Sequence, residues 1–259
     1  MKVEEFVRAL EAHVPPDLAA EWDNVGLLVG RRAGEVRRVM TTLDLTRWTL
    51  AEALSRGVDL IVTHHPTPFR PLRKLSDADG TGELLLAAAE ARIAVYSPHT
   101  AWDDARGGIN DMLAAAAGLR DPQPLIALEN GRGRSRFGDF PQPVAVGQLF
   151  TRLEAAVGPG RSRANCPWDR PVQRLAICCG SGGSMLQEAL AAGCDGLLTG
   201  EATYHQCLEA AQRGAAMLML GHHRSESWSM RKLAEDISAW APGVEAFHCD
   251  ADRDFLRHS

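Results

Sequence analysis

Two octets of this 259-residue sequence match each other. Residues 56–63 read RGVDLIVT, and residues 192–199 read AGCDGLLT. In each octet a glycine and an aspartate precede a short apolar run that ends in threonine. A glycine is typical of the end of a helix, and the apolar run is typical of a buried strand. The match therefore predicts a helix-to-strand junction that occurs twice, as in an internal duplication.

The similarity continues further along the chain. Residues 93–103 align with residues 216–226 without a gap. The alignment pairs two histidines and two carboxylates, His99 with His222 and Asp103 with Glu226. A second histidine-carboxylate pair in the same order is hard to ascribe to chance, so the sequence predicts two related lobes.

Around these junctions, short apolar runs alternate with helical patterns, first in one half of the chain and then in the other. Such alternation is typical of a sheet with helices on its faces. Strand patterns lie at residues 25–29, 39–43, 60–63, 93–96, 175–179, 197–199 and 217–220. Helix patterns lie at residues 4–14, 49–55, 83–91, 186–192, 204–213 and 226–240. We therefore predict an α/β fold of two related α/β lobes, with mixed sheets flanked by helices.

A stretch rich in Gly, Pro and Arg, residues 120–143, separates the two halves and is interpreted as a connector. We place the lobe boundary within it. The first lobe, residues 1–125, then holds the His-His-Pro and His-Thr-x-x-Asp motifs. The second lobe, residues 126–259, holds the Thr-Gly-Glu and Gly-His-x-x-x-Glu motifs. A second possibility for the C-terminal strand is that it packs back on the first lobe.

Composition excludes several classes of function. The formal net charge is -5, so the chain lacks the basic surplus with which nucleic-acid binders displace counterions. Its apolar runs are far shorter than the ~20 residues of a membrane-spanning helix. The first residues are acidic where a signal peptide would be apolar. We expect a cytoplasmic protein that binds neither nucleic acid nor membrane directly.

Polar residues follow three of the predicted strands. In an α/β sheet, ligands bind beyond the carboxyl ends of the strands. The residues at these ends are His64 and His65, then His99 and Asp103, then His222, His223 and Glu226. Two adjacent histidines after a buried strand would be costly as core residues, because both rings would need buried partners. A metal site is favoured over isolated, hydrogen-bonded surface histidines.

The donor types narrow the choice of metal. Histidine with aspartate or glutamate and no thiolate suits divalent Fe, Mn, Zn, Ni or Co. Five or more donors exceed the needs of one tetrahedral ion. Two ions about 3.5–4 Å apart, bridged by a carboxylate and a water or hydroxide, would use them. We predict two divalent metal ions per subunit, in a site between the lobes.

Other polar residues are weaker candidates for groups that orient the ligands: His99, Glu201, His205, His223 and Asp44. A solvated helix end explains Glu201 and His205 equally well. The turn at residues 180–183 could bind an anion, but a plain tight turn is favoured. Residues 22–26 could form a lid or an interface, and a buried Trp beside a turn is the simpler account.

Taken in order, the motifs resemble those of the Nif-three-like dinuclear-metal-centre family, also called GTP cyclohydrolase I type II homologues. The resemblance covers nearly the whole chain and rests on residues 22–27, 63–66, 99–103, 180–182 and 199–201 with His205, and on 221–222 with Glu226. It implies that the metal ligands are His64, His65, Asp103, His222 and Glu226. It also implies a two-lobed α/β subunit and self-association into a homohexameric ring.

The chain departs from the family pattern at two places. His223 stands where the family usually has tyrosine, so a further imidazole enters the site or replaces a packing ring. Longer members carry an extra domain between the halves, and residues 120–174 are too few for a large one. The chain therefore resembles the compact form.

The favoured function is a metal-dependent hydrolase that uses a metal-bridged hydroxide on a nucleotide or another phosphate- or amide-type small molecule. Catalytic and substrate-binding side chains are not identified, and a GTP cyclohydrolase activity is not supported by the residues themselves. The alternative is a non-enzymatic metal protein that stores, delivers or senses an ion or acts as an interaction platform. A purely structural zinc site is least favoured, because such sites usually have cysteine ligands.

Overall fold

The computed structural model describes residues 1–128 and 133–257. The chain divides into two compact units: Met1–Ala105 with Ser229–Arg253, and Arg106–Trp228 with Asp254–Ser259. This division differs from the expected boundary between residues 125 and 126. Residues 129–132 of the predicted connector lie outside the described part of the chain.

The order of elements follows the predicted alternation. The described helices are α1 (Val3–Glu11), α2 (Arg47–Ser55), α3 (Gly80–Glu90), α4 (His99–Asp104), α5 (Ile109–Ala117), α6 (Val146–Val157), α7 (Leu186–Ala191), α8 (Tyr204–Gln212), α9 (His222–Glu226) and α10 (Ser229–Trp240). The described strands are β1 (Gly26–Val29), β2 (Arg38–Thr42), β3 (Leu60–Thr63), β4 (Ala94–Ser97), β5 (Arg120–Ala127), β6 (Gly133–Ala145), β7 (Arg163–Ala164), β8 (Pro171–Cys178), β9 (Gly196–Thr199), β10 (Ala216–Met219) and β11 (Glu245–His248). None of the described helices is long and apolar enough to cross a membrane.

The first unit contains a five-stranded mixed sheet in the order β1-β4-β3-β2-β11. Strands β4, β3, β2 and β11 run parallel, and β1 pairs antiparallel with β4. Strands β3 and β4 are buried at every position, as expected for parallel strands covered on both faces. Helices α2 and α3 contribute apolar residues to the core against this sheet, around Met40, Ile61 and Val95.

The second unit contains a six-stranded mixed sheet in the order β5-β6-β8-β9-β10-β7. Strands β8, β9 and β10 are parallel. Strand β6 pairs antiparallel with both β5 and β8, and β7 is antiparallel to β10. The predicted α/β fold with mixed sheets and flanking helices is confirmed in both units.

The interpretation of residues 120–143 as a connector is wrong for the described residues. They form β5 and most of β6, which pair at the edge of the second sheet. Pro122 and Pro124 misled the sequence-based assignment, because proline cannot donate to a ladder and is confined to edge strands and bulges. Here β5 is the edge strand, and its register shifts between Arg120 and Gln123.

The matching octets adopt matching structures. Asp59 Oδ2 accepts hydrogen bonds from the backbone N–H groups of Arg38 and the residue before it, at 2.9 and 2.8 Å. Asp195 Oδ2 accepts the same two bonds from Arg174 and the residue before it, at 2.8 and 2.7 Å. Each aspartate therefore ties the start of its own strand to the adjacent parallel strand.

The two arginines also correspond. Arg38 donates to both carboxylate oxygens of Glu245, a residue of the neighbouring strand β11. Arg174 donates to both oxygens of Asp139, a residue of the neighbouring strand β6. These equivalent contacts support the internal duplication, and they relate β2 and β3 to β8 and β9.

The gapless alignment of residues 93–103 with 216–226 is displaced by one position in the strands. Ala94 donates its backbone N–H to Asp59 O, and Ala216 donates to Asp195 O, each at 2.9 Å. These bonds make Ala94 the counterpart of Ala216, whereas the alignment pairs Ala216 with residue 93. Strand register is set by the ladder partner, so local similarity did not reveal the shift.

The helices after these strands restore the alignment. Helix α4 begins at His99, with one residue between it and β4, and α9 begins at His222, with two residues between it and β10. The additional residue lies beside Gly221, whose φ of 96° belongs to the left-handed region that favours glycine. His99 and His222 therefore occupy equivalent helix starts.

The C-terminal segment returns to the first unit through Glu52 of α2. Strand β11 pairs with β2, so the possibility left open for the final strand is realised. Just beyond β11, the backbone N–H groups of Asp250 and Ala251 donate to the Glu52 carboxylate at 3.0 and 2.7 Å. Burial raises the pKa of Glu52, but these bonds, with contacts from Cys249 and Arg56, outweigh it and hold the pKa below its ordinary value.

We predict that Asp59→Ala and Asp195→Ala each lower the free energy of unfolding by about 1–3 kcal/mol, because each leaves two backbone donors without their carboxylate acceptor. Urea denaturation monitored by circular dichroism measures the change. Asp169→Ala removes an exposed carboxylate and is the matched control. A loss no larger than that of the control would contradict the proposed anchoring role.

We predict that Glu52→Gln lowers the melting temperature at pH 7 and that this deficit narrows in acid. The pKa of Glu52 in the folded protein lies below its ordinary value of 4.5. The carboxylate therefore contributes stability above pH 4.5 that is lost as the pH falls through the folded pKa. Thermal melts from pH 7 to pH 3, with Glu235→Gln as an exposed control, test this, and a deficit independent of pH would refute it.

Candidate metal centre

His64 and His65 follow directly after β3 in the first unit. Their backbone N–H groups extend the ladder to the neighbouring segment, with bonds to Thr42 O at 2.9 Å and to Leu43 O at 3.0 Å. The Ser97 hydroxyl, at the end of β4, donates to His64 O at 2.6 Å. The backbone of both histidines is therefore fixed at the carboxyl edge of the sheet, as predicted.

Helix α4 brings His99 and Asp103 to the same edge. The ring centroids of His64, His65 and His99 lie 5.1–5.6 Å apart. One potential ligand atom from each of these rings lies within 4.8 Å of the others. His64 Nε2 is 3.4 Å from Asp103 Oδ1. The first unit thus gathers three imidazoles and a carboxylate, and His99, expected among the groups that orient the ligands, lies close enough to His64 and His65 to be a ligand itself.

Asp23 holds His99 in place, a role that the sequence analysis missed. Its Oδ1 lies 2.7 Å from His99 Nδ1, and its Oδ2 accepts hydrogen bonds from the backbone N–H and the hydroxyl of Thr100. Burial raises the pKa of the Asp23 carboxyl, but the bonds from His99 and Thr100 outweigh it and hold the pKa below its ordinary value. His99 has a φ of 29°, a strained value that these contacts stabilise.

Asp44 performs a similar function for His65. Asp44 Oδ1 lies 2.8 Å from His65 Nδ1. With Nδ1–H donating to the carboxylate, the lone pair of the ring is on Nε2, which becomes the atom that can bind a metal. Asp44, a weaker candidate in the sequence, is therefore well placed to orient a ligand.

In the second unit, His222 and Glu226 lie on one face of α9. His222 Nε2 is 3.1 Å from Glu226 Oε2, and the Glu226 side chain is only 3% exposed. Glycines make room for this helix. A Cβ atom on Gly180 would lie 2.2 Å from Glu226 Oε1, and one on Gly200 would lie 3.0 Å from His222 Cα. The approach of Glu226 therefore requires glycine, with no Cβ atom, at position 180.

Glu201 orients His222. Glu201 Oε1 lies 3.0 Å from His222 Nδ1 and accepts a hydrogen bond from the Ser181 hydroxyl at 2.5 Å. The Ser181 hydroxyl, followed by the His222 ring, holds the pKa of Glu201 below its ordinary value. The carboxylate is thus kept charged while His222 Nε2 faces Glu226.

The remaining second-unit candidates are less informative. His205 is exposed on α8, and its ring contacts Tyr204 with centroids 5.6 Å apart. Within the described part of the chain, no hydrogen bond joins His205 to any of the candidate metal ligands. His223 is half-buried on α9 beside His222. Roles for His205 and His223 in the site stay predictions.

The donor sets fit divalent metals. Two ligands bound to one ion at about 2.1 Å, with tetrahedral or octahedral angles, are about 3.0–3.4 Å apart. The pairs His64–Asp103 and His222–Glu226 are separated by 3.4 and 3.1 Å. Imidazole with carboxylate is the donor chemistry of borderline to hard divalent ions. Each unit by itself therefore carries a pair of donors spaced as two ligands of one divalent ion would be.

A family model described as Duf34/NIF3 (NGG1p interacting factor 3) matches residues 1–254. The chain belongs to the NIF3 family. The match covers both units and all five predicted metal ligands, and it confirms the resemblance seen in the motifs. The full-length match also agrees with the compact form of the family.

Curated relatives of the NIF3 family extend over most of the chain. The GTP cyclohydrolase 1 type 2 homolog of Lactococcus lactis is 33% identical over 251 residues, which cover 95% of each protein. NIF3-like protein 1 of Drosophila melanogaster is 32% identical over 231 residues, which cover 87% of this chain and 78% of the relative.

Solved structures show the same NIF3 fold. A Bacillus cereus protein related to NIF3 superposes with a TM-score of 0.89 at 19% identity, and the match covers 100% of this chain and 99% of that protein. Reduced HcgD from Methanocaldococcus jannaschii superposes with a TM-score of 0.83 at 28% identity, covering 96% and 98%. The α/β architecture is therefore common to proteins of low sequence identity.

We predict that Asp23→Ala and Glu201→Ala each weaken metal binding by about 10- to 100-fold, because an imidazole that has lost its carboxylate partner is no longer held in the orientation that binds metal. Competition with a chromogenic chelator measures the affinity. Asp77→Ala, which removes an exposed carboxylate in the first unit, is the matched control. Affinity equal to that of the control in both variants would exclude this orienting role.

Proposed function

We propose that the chain is a dinuclear metal-dependent hydrolase. The ligands that we propose are His64, His65 and Asp103 of the first unit, and His222 and Glu226 of the second. The observation that carries the proposal is that three histidines each place Nδ1 against a carboxylate: His65 with Asp44, His99 with Asp23, and His222 with Glu201. Metal-binding histidines almost always have such a partner on the second ring nitrogen.

The number of donors supports two ions rather than one. Five donors exceed the four positions of a tetrahedral ion, and His99 is placed to add a sixth. Glu226 is suited to hold a divalent ion, because its side chain is only 3% exposed and its Oε2 lies 3.1 Å from His222 Nε2.

When bound, a pair of divalent ions lowers the pKa of a water and neutralises charge on an oxyanion. The residues of the chain perform the supporting tasks. Asp23, Asp44 and Glu201 keep three imidazoles in the tautomer that offers Nε2, and the ladder bonds at His64 and His65 hold the backbone rigid. Such preorganisation avoids the cost of arranging ligands during the reaction.

The substrate class that we propose is a nucleotide or another small molecule with a phosphate or amide group. Several curated relatives carry the name GTP cyclohydrolase 1 type 2 homolog, and that name favours a nucleotide within this class. By the resemblance to the family we further propose self-association into a hexamer, which sedimentation analysis tests directly.

We predict that the purified chain binds two divalent ions and that His64→Ala and Glu226→Ala each lose at least one. Loss of a donor at a strand end or a short helix should leave the fold largely intact. Elemental analysis gives the metal-to-protein ratio, and circular dichroism checks the fold. Glu235→Ala, an exposed carboxylate on α10, is the control and should retain both ions. Full occupancy in both site variants would exclude the ligand assignment.

Turnover separates the hydrolase from the non-enzymatic alternative. The metal-loaded chain is incubated with nucleotides, phosphoesters and amides, and release of product is compared with that of Glu226→Ala. Hydrolysis that depends on Glu226 supports the proposal. Two tightly bound ions with no turnover on any of these substrates would favour storage, delivery or sensing of metal.

A further inference from the structure

The two copies of the duplication differ most clearly in one loop. In the first unit, residues 64–79 connect β3 to α3, whereas only residues 200–203 connect β9 to α8 in the second. Loops longer than about 12 residues without secondary structure are uncommon and are usually functional or disordered. The long loop begins with His64 and His65, and every residue from 69 to 80 is exposed. The first unit therefore carries additional surface at its metal-binding edge.

Two exposed aromatic rings stand beside His99 at this edge. Phe69, in the long loop, is 50% exposed, and Trp22, in the segment before β1, is 64% exposed. Their ring centroids are 5.8 Å apart, with a tilt of 48°. Each ring also meets the His99 imidazole edge-to-face, at 6.0 Å for Trp22 and 6.1 Å for Phe69. Trp22 and Phe69 therefore form an aromatic wall, a surface of two exposed rings that adjoins His99 and, through it, the candidate metal ligands His64 and His65.

The segments that carry these rings are held in place. Asn24 Nδ2 donates to Pro68 O at 2.7 Å and joins the Trp22 segment to the Phe69 loop. Asp23, between Trp22 and Asn24, is bonded to His99 and Thr100. Large aromatic side chains that remain exposed on anchored backbone are costly in water and typical of binding sites.

The charge of the long loop indicates the kind of ligand. Arg70, Arg73 and Lys74 follow Phe69, and all three side chains are exposed. In the described part of the chain, no ion pair or hydrogen bond engages these three cations. Two acidic residues, Asp77 and Asp79, come later in the loop, and Asp79 caps α3 through the Gly82 N–H. Exposed aromatic rings can stack on a nucleotide base, and basic side chains that form no ion pair can bind a phosphate, so the two features together suit a nucleotide.

We propose that Trp22 and Phe69 form the subsite for the base of a nucleotide, next to the metal centre. This inference rests on the proposed function and specifies its substrate. Because the rings are tilted, the base stacks on the larger Trp22 face while Phe69 packs against its edge. The phosphate is then available to the metal centre or to the cations of the loop.

The probes are adenosine 5′-monophosphate and ribose 5-phosphate, which share the sugar and phosphate and differ in the base. Isothermal titration calorimetry on the metal-loaded chain should give an affinity about tenfold or more higher for the nucleotide, the value expected for one stacked base. In Trp22→Ala this advantage should fall below about threefold, and Phe69→Ala should reduce it in part. Trp22→Leu, which keeps apolar area but lacks a planar ring, should behave like Trp22→Ala.

Trp168→Ala is the matched control, because Trp168 is 53% exposed and belongs to the second unit, against Phe150. It should keep the full advantage of the nucleotide. Metal content and circular dichroism of each variant confirm that the centre and the fold are intact.

Different failures have different readouts. Equal binding of the two probes to the native chain overturns the aromatic subsite while the metal centre stands. Two bound ions with no binding of either probe also overturn it, whereas absence of the ions refutes the proposed function itself. A change in sedimentation of Trp22→Ala or Phe69→Ala, without loss of the nucleotide advantage, would assign the two rings to a contact between copies of the chain and overturn the proposal.

Discussion

Parallel pairing of strands is the constraint on which the rest of each unit depends. When β3 and β4 run side by side in the same direction, their carboxyl ends meet at one edge of the sheet, and so do the residues that follow them. The same holds for β9 and β10 in the second unit. The aspartates of the two matching octets fix the parallel pairing on the other side of the central strand, of β3 with β2 and of β9 with β8, because each accepts two backbone N–H groups from that neighbouring strand. In each unit the candidate ligands follow within a few residues of a strand end and therefore lie close together.

Carboxylate–histidine pairs convert this placement into defined chemistry. An imidazole offers two nitrogens, and a metal requires the one that carries a lone pair. Asp23, Asp44 and Glu201 each occupy Nδ1 of a histidine and so select Nε2 for binding. Burial of a charged carboxylate is unfavourable, and hydrogen bonds offset that cost at Asp23. The same contacts stabilise the strained backbone of His99.

Duplication preserved the sheet and changed the segments at its edge. His65 and Glu201 occupy equivalent positions after equivalent strands, yet one is an imidazole oriented by a carboxylate and the other is a carboxylate that orients an imidazole. The loop after β3 is four times as long as its counterpart and carries the aromatic and cationic residues. Loops at strand ends tolerate such change because the ladder behind them is unaffected. One copy could therefore acquire a binding surface while both kept their donors.

The sequence by itself determined the α/β alternation and the duplication, and it predicted candidate donors at the strand ends. Apolar periodicity, the Gly-x-Asp junctions and the polar residues at strand ends are local signals, and the candidates that they indicate are His64 and His65, His99 and Asp103, and His222, His223 and Glu226. Tertiary structure alone decided the one-residue shift between the copies, the strands at residues 120–127 and 133–145, and the return of β11 to β2. It also decided the role of Asp23, which lies 76 residues from His99 in the chain. These features depend on contacts between segments distant in sequence, and no local pattern of side chains encodes which distant segment supplies a hydrogen bond.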